Sequence, residues 1–469
     1  MDKSLRKALE NIVGPGQVTD AETDLWAYAY DATQIQARPD GVVFPGSARE
    51  VAEILHLADR MGFPVIPRGS GSGMSGGSVP IKGGIVLVLL RMNRILAVDP
   101  GNLTAVAEAG VITRDFQQAV EGRGLFYPPD PSSSAFSTLG GNVAECAGGG
   151  RAVKYGVTRD YVLGLEAVLP SGEIIRTGVK TAKGVVGYDL TRLLVGSEGT
   201  LGIITEMTLK LLPLPEARRT LLVFFDRLEG ATEAVVEVFR AGILPCVLEF
   251  MDRASIACVE DYLHLGIPPW TQALLLIEVD GLREAVAREA NLIEQVCRRI
   301  GAQEIRTASG KEEAEDLWKA RRAVSPALFR LKPHKINEDI VVPRVQIPEA
   351  VRRFEEIGRR LRLTIVSFGH AGDGNIHVNI MYDGKDPSES ERARRAVPEI
   401  FRTVLDLGGT LSGEHGIGLT KAPYLSLEVD PVSLSWMKKI KDLFDPKGIL
   451  NPGKIFPESP AITDRGPSW

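Results

Sequence analysis

Val65-Ile-Pro-Arg-Gly-Ser-Gly-Ser-Gly-Met-Ser-Gly-Gly-Ser-Val-Pro80 runs from a short β-type pair through small residues toward Ile85-Val-Leu-Val-Leu89. That second segment is an uninterrupted apolar run and reads as a strand buried on both faces. The unit is therefore strand, loop, strand. A Rossmann-type dinucleotide fingerprint or a P-loop needs a helix directly behind its glycines, and the P-loop also needs a closing Lys-Ser/Thr pair. Neither follows here. Any phosphate held by this loop must rest on a nest of backbone N–H groups rather than on a helix dipole. In isolation such a loop is as easily a flexible surface turn.

Upstream, Ser47-Ala-Arg-Glu50 is a capping box, and Val51, Ile54, Leu55 and Ala58 recur at helical spacing until Gly62 and Pro64 end the helix. Leu5, Leu9 and Ile12 mark an earlier amphipathic helix, followed by a loop from Asp31 to Pro39. Downstream, glycine-rich segments recur at Ser137-Thr-Leu-Gly-Gly-Asn-Val-Ala144, at Gly148-Gly-Gly-Arg-Ala-Val-Lys-Tyr-Gly156 and at Gly196-Ser-Glu-Gly-Thr-Leu-Gly-Ile-Ile204, before a strand from Glu206 to Leu212. From residue 216 the pattern changes. Thr220 to Phe225, a helix over 231–241, Val247 to Met251, Ala273 to Val279, a helix over 282–300 and Glu304 to Thr307 read β-α-β-β-α-β. That order predicts a ferredoxin-like antiparallel sheet with helices on one side. Pro268-Pro269 and the tail from Pro457 read as loose segments.

The 469 residues predict two to three domains at ~150 residues each. An apolar content of 44% supports a sizeable core, and a net charge of -5 without any basic block argues against nucleic acid. The most apolar stretch, Ile85 to Leu90, is far short of the ~20 residues that span a bilayer. Met1-Asp-Lys-Ser-Leu-Arg-Lys7 lacks the apolar core of a signal peptide, so a cytoplasmic protein is expected. Cys146, Cys246, Cys258 and Cys297 form no C-x-x-C pair, which places any iron–sulfur cluster on a partner.

Three of the six histidines lie in Gly369-His-Ala-Gly-Asp-Gly-Asn-Ile-His377 and Ser412-Gly-Glu-His-Gly416. Thr364 to Phe368 and Ile376 to Ile380 are β-type runs joined by a Gly-Asp-Gly turn. If Ala371 to Gly374 connect them, His370 opposes Asn375 and Phe368 opposes His377. His370 and His377 are then same-face diagonal neighbours roughly 7–8 Å apart, close enough to share one ion. Asn379 shares that face, while Ile376, Val378 and Ile380 face the core. Glu414 and His415 cannot point the same way in a strand, and the flanking glycines predict a turn that presents both. His56, His264 and His334 read as structural, and the four cysteines as core. Imidazoles with one carboxylate suit zinc, manganese or iron.

The ordered set P-R-G-x-G, G-G-N-x-A, Y-G-V, G-S-E-G-T-L-G-I-I, G-H-x-G-D-G-N-x-H and G-E-H-G, quoted above at its positions, spans nearly the whole chain. It resembles the FAD-linked oxidases and dehydrogenases of the vanillyl-alcohol oxidase type, and within them the branch of glycolate oxidase D subunits and D-lactate dehydrogenases. The resemblance implies an α+β fold: a two-subdomain FAD-binding domain of the PCMH type over residues 1–215, a ferredoxin-like cap over 216–425 carrying a metal site, and a C-terminal segment, 426–469, packing back on the FAD domain. Arg68, Gly69, Ser70, Gly71, Ser72, Gly73, Met74, Ser75, Gly76 and Gly77 match the pyrophosphate loop. Pro129, Asp130, Ser134, Thr138, Gly140, Gly141, Asn142 and Ala144 match the stretch along flavin and ribityl chain, which Gly148, Gly149, Tyr155, Gly156 and Val157 extend. Glu198, Gly199, Gly202 and Ile203 match a strand edge near the adenine half, and Asn451 is expected to face the cofactor. Relatives that attach FAD covalently often carry a histidine in the first loop. Residues 67–80 have none, so FAD is expected to be non-covalent.

The same resemblance implies His370, His377 and Glu414 as ligands of a divalent metal, with zinc foremost and manganese or iron open, and His415 as general base. Trp318-Lys-Ala-Arg321 resembles the family's W-x-x-R, whose arginine holds the substrate carboxylate; Arg322 is the alternative register, and a charged helix is more often a solvated face. Ser325, Lys335, Asn337 and Asn379 are further substrate-side candidates. The implied reaction is oxidation of a D-2-hydroxy acid to the 2-oxo acid, with hydride to flavin N5 and the hydroxyl proton to His415. Without a dinucleotide fingerprint, the electrons are expected to pass to a separate iron–sulfur or other redox partner, which could hold the chain at a membrane surface. A homo-oligomer stays open. Three other readings are an oxygen-using flavin oxidase that makes peroxide, a metallohydrolase that leaves the FAD loops unexplained, and a non-catalytic flavin-binding subunit of an electron-transfer complex.

Overall fold

The glycine loop leaves a parallel strand and returns to its neighbour. In the computed structural model, which describes residues 1–33, 35–308 and 310–456, strands β1 (Val18–Thr19), β2 (Gly41–Val43), β3 (Val65–Arg68) and β4 (Ile85–Val88) form a sheet of order β1-β2-β4-β3. β4 pairs in parallel with both β2 and β3. Its four side chains are fully buried, as expected for an apolar run covered on both faces. The crossover from β2 to β3 is the helix Ala48–Met61, where Ser47 accepts the Glu50 N–H at 3.2 Å and Gly62 closes the helix at φ 74°. Val51, Ile54, Leu55 and Ala58 bury its apolar face.

Strands β5 (Ile95–Asp99), β6 (Thr104–Glu108), β7 (Leu125–Phe126), β8 (Val162–Val168), β9 (Ile174–Gly178), β10 (Ile203–Lys210) and β11 (Leu212–Pro213) follow. β5, β6, β10, β8 and β9 lie in that order as an antiparallel sheet, while β7 and β11 pair alone. β10 begins three residues before the expected Glu206. Between them, the Gly140-Gly-Asn142 segment is helical, Leu139–Glu145, with Thr138 as its cap.

The third sheet has seven strands: β12 (Ala217–Phe225), β13 (Val247–Asp252), β14 (Ala273–Gly281), β15 (Glu304–Thr307), β16 (His334–Val341), β17 (Thr364–His370) and β18 (Asn375–Tyr382). Its order is β15-β12-β14-β13-β17-β18-β16, so the expected split unit is extended by the histidine hairpin and β16. Helices cover both faces, not one. Leu228–Arg240, Arg283–Ile300, Ile347–Leu361 and Pro387–Asp406 pack on the first face. Arg253–Leu263, which the sequence reading passed over, and Lys311–Ala327 pack on the second. The cause is in the strands: Leu221, Val223 and Phe225 bury one face of β12 while Leu222 and Phe224 bury the other. Both faces must therefore be covered.

Beyond Phe368 the second face turns polar. His370 opposes Asn375 and Phe368 opposes His377, the register expected for the hairpin. β16 adds Asp339 opposite His377 and Asn337 opposite Asn379. The chain then returns to the first sheet, where the Val65 N–H donates to Ile449 O at 2.8 Å and Leu450 bridges Val65. The tail from Pro457 lies outside the described residues. Among those described, no helix is long and apolar enough to cross a membrane.

Candidate active site

One cleft of about 1530 Å³ runs between the glycine loops of the first two sheets and the polar face of the third. Of the residues matched to cofactor binding, Arg68 to Met74, Gly77, Asp130, Ser134, Thr138, Gly140 to Asn142, Ala144, Gly148, Glu198, Gly199, Gly202 and Ile203 line it. The others stand behind its wall. Ser75 and Gly76 pack against Leu419 and Thr420, and the Pro129 carbonyl accepts from Gln117. Gly149 lies against the Asp130 carbonyl, and Gly156 and Val157 against the Asp160 carboxylate. The Tyr155 hydroxyl donates to Asp280 of the third sheet at 2.8 Å. Asn451 is 2% exposed and donates from Nδ2 to Gly77 O and Glu198 O, so it ties loops together instead of facing the cleft.

The wall fits a dinucleotide. Among the described residues, none accepts a hydrogen bond from the backbone N–H groups of residues 69–78. Residues 69–74, 77 and 78 of this run line the cleft, and their unspent donors form the nest that a pyrophosphate needs. Close approach enforces the glycines: a Cβ at Gly69 would sit 2.3 Å from Thr138 Oγ1, and Gly71 has φ +74°.

At the other end, three imidazoles converge on one carboxylate oxygen. Oε1 of Glu414 lies 3.3 Å from His370 Nε2, 3.5 Å from His377 Nε2 and 3.8 Å from His415 Nε2. The His377 and His415 rings stack at 5.3 Å and 14°. Glu249 Oε1 holds His370 Nδ1 at 2.5 Å, which turns Nε2 toward Glu414. Such an outer carboxylate is what fixes a ligating imidazole. Burial lowers His377 to about 3, so its imidazole is neutral; Glu249 and Glu414 outweigh burial and raise His370 well above its ordinary range, so a bound cation would displace its proton. Burial would raise Glu414, but the charge and hydrogen bond of His370 outweigh it and keep the carboxylate ionised below its ordinary range. The donor set therefore fits a divalent cation of the zinc, manganese or iron type.

Asp339 also stands within 4.8 Å of His377, Glu414 and His415, yet its oxygens are already engaged. Oδ2 accepts the N–H groups of Gly413, Glu414 and His415 at 3.0, 2.8 and 2.9 Å, and Oδ1 accepts Asn375 Nδ2 at 2.5 Å. Asp339 is thus the clamp that shapes the turn. Burial opposes its charge, but His415, Lys421 and His377 hold its carboxyl well below the usual range.

The charged helix Lys311–Ala327 turns Arg321 inward. Arg321 is 9% exposed, donates from Nε to Glu249 Oε2 at 2.5 Å and lies over the Phe368 ring. Arg322 is the exposed neighbour and pairs with Glu315. Ser325 and Lys335 line the cleft, with Lys335 Nζ donating to Ser325 Oγ at 2.6 Å. Asn379 is fully buried behind Asn337, which donates to it and itself lines the cleft. His56 and His334 bond to backbone at Ser171 and Gly384, and all four cysteines are buried and free.

Glu249 and Asp339 were missed as site residues. The signal existed: Glu249 is a lone carboxylate in the apolar run Val247-Leu-Glu-Phe-Met251, and Glu338-Asp339 is a carboxylate pair inside the strand-like run Lys335-Ile-Asn-Glu-Asp-Ile-Val341. Only the sheet order shows that Glu249 and Asp339 reach the histidine face.

A nest-lined cleft ending in a His-carboxylate cluster, on this two-part fold, defines a flavin-dependent oxidoreductase. Residues 39–178 match the family described as FAD binding domain, and residues 214–455 match FAD linked oxidases, C-terminal domain. The chain belongs to the FAD-linked oxidase family. It is 47% identical over 455 residues, 97% of either chain, to glycolate oxidase subunit GlcD of Bacillus subtilis (strain 168). It is 39% identical to D-lactate dehydrogenase of Archaeoglobus fulgidus, covering 92% of this chain and 95% of that one. p-Cresol methylhydroxylase shares the fold, with a TM-score of 0.79 at 18% identity over 97% of this chain and 96% of that one.

Proposed function

We propose that the protein oxidises a D-2-hydroxy acid of the glycolate or D-lactate type to the 2-oxo acid, using non-covalent FAD and a divalent metal, and passes the electrons to a separate redox protein. The observation that carries this reading is the convergence of His370, His377 and His415 on Glu414 Oε1 in the same cleft as the unspent N–H groups of residues 69–78. FAD would supply the hydride acceptor, and an ion held by His370, His377 and Glu414 would supply Lewis acidity at the substrate hydroxyl. His415 takes the hydroxyl proton at Nε2, with Asp339 Oδ2 4.0 Å from its Nδ1 to stabilise the imidazolium. Arg321 spends Nε on Glu249, leaving its terminal nitrogens for the substrate carboxylate in a buried setting where a bidentate pair is strong. Lys335, held by Ser325, adds a second cation.

The names of the relatives support the substrate class, and the word "subunit" in one of them supports a partner. The four cysteines are buried and scattered, so an iron–sulfur cluster would sit on that partner, in the cytoplasm or at the membrane surface it brings the chain to. Anaerobic titration with glycolate, D-lactate and D-2-hydroxyglutarate tests the reading: at least one should bleach the visible flavin band. A band that survives every 2-hydroxy acid overturns it. Stoichiometric peroxide on readmission of air would instead favour an oxidase.

A further inference from the structure

Glu198 is a non-glycine residue in the left-handed region, at φ 53° between Gly196 at 77° and Gly199 at 64°. A side chain is costly there and persists where its surroundings hold it in place. The surroundings are in the cap. Its carboxylate accepts the N–H of Ile417 at 2.7 Å through Oε1 and the N–H of Gly418 at 2.6 Å through Oε2. These are the second and third residues after His415. The next two N–H groups, of Leu419 and Thr420, donate to Ser75 O at 2.7 and 3.2 Å. Four successive donors leaving the Glu414–His415 turn are therefore taken by the nucleotide-binding half. On the other side of the turn, Asp339 of the cap takes the N–H groups of residues 413–415. Contact is too close for any side chain between: a Cβ at Gly416 would lie 2.5 Å from Glu145 Oε2 and 2.8 Å from Glu198 Oε1, and one at Gly418 would lie 2.2 Å from Ser75 O.

We propose that Glu198 is a positioning residue: by gripping Ile417 and Gly418 it fixes the Glu414–His415 turn against the loops that approach the cofactor, so ligand and base stand in register with the flavin side. The inference rests on the roles given to Glu414 and His415 above. It also gives the Glu198 side chain a task other than contact with the cofactor, which the family resemblance implied. Glu145 lies beside it with Oε2 buried and without a hydrogen bond, and Glu198→Gln keeps the volume of the side chain while placing no ionisable group next to it, so the variant should fold.

The test compares holoenzyme carrying Glu198→Gln or Glu198→Ala with wild type and with His415→Asn. Amide hydrogen exchange across residues 412–420, FAD content, thermal midpoint and the rate of flavin reduction by D-lactate are read together. In Glu198→Ala, exchange at residues 417–418 should rise about 10-fold, flavin reduction should slow by roughly 10²-fold with KM little changed, and FAD should stay bound. Glu198→Gln, which keeps one acceptor oxygen, should fall between. Unchanged exchange overturns the proposal, as does loss of FAD with normal reduction in the molecules that keep it. A His415→Asn protein that reduces flavin at the normal rate would refute the reading of the site but not the latch, which the exchange rates decide alone.

Discussion

Oε1 of Glu249 lies 2.5 Å from Nδ1 of His370, and the same carboxylate binds Arg321 through its other oxygen. One buried group thus orients a proposed metal ligand and a proposed substrate anchor. Burial would raise Glu249, but Arg321 and His370 bring it down to about 2, so it is ionised at every working pH. Glu249→Gln should weaken metal binding roughly 10–100-fold, the usual loss when an outer partner of a ligating histidine is removed. The KM for the carboxylate substrate should rise in parallel while FAD content stays constant. Metal titration of the variant against wild type gives the first number, and an unchanged affinity would remove Glu249 from this role.

Metal and flavin should be separable, because the imidazole cluster lies on the third sheet and the nest on the first. Chelation should stop turnover and leave the yellow protein yellow, and His377→Ala should do the same. Acid precipitation should then release the flavin into the supernatant, since residues 67–80 offer no histidine for a covalent bond. A yellow pellet would contradict the second part; active protein without a transition metal would contradict the first.

Much of this was legible from local pattern. β4 is an apolar run, the hairpin register follows from one Gly-Asp-Gly turn, and β12 to β15 follow alternation and turn signals. What could not be read was coverage and direction. The second helical layer depends on Leu222 and Phe224 facing away from Leu221 and Val223, which a run of apolar residues does not disclose. Likewise Asn379 was expected at the substrate, but β16 pairs alongside and puts Asn337 in front of it. The clamp by Asp339 joins residues 74 to 76 positions apart, a distance over which no local spacing rule operates.

Stability should fall with rising pH through Glu338. Burial pushes this carboxyl up to about 7, Lys421 opposing and Asp339 adding to the effect. A carboxyl raised above its unfolded value binds its proton more tightly in the folded chain. Its contribution is therefore complete below pH 4.5 and lost as pH rises through 7. The span corresponds to about 3 kcal/mol at most. Glu338→Gln should raise the thermal midpoint at pH 8, change little at pH 5 and flatten the slope between. Equal shifts at both pH values would show that the group does not titrate there.

Gly148 belongs to a glycine run that the family resemblance assigns to the cofactor wall, yet a side chain there would meet the metal end of the cleft. A Cβ at Gly148 would lie 2.8 Å from Glu414 Oε2 and 3.1 Å from Glu414 Cβ. The carboxylate tip could swing away, but Cβ is fixed to a turn held by Asp339, so the clash must move the turn or the loop. Gly150 repeats the pattern, its Cβ falling 2.7 Å from Glu249 Oε1. Gly148→Ala should therefore lower metal affinity and flavin-reduction rate together, by roughly 10-fold or more for a displacement under 1 Å. FAD content should be nearly unchanged, because the nest at residues 69–78 is untouched. Metal titration and FAD absorbance on one sample separate the outcomes: loss of FAD with intact metal binding would return Gly148 to the cofactor wall alone.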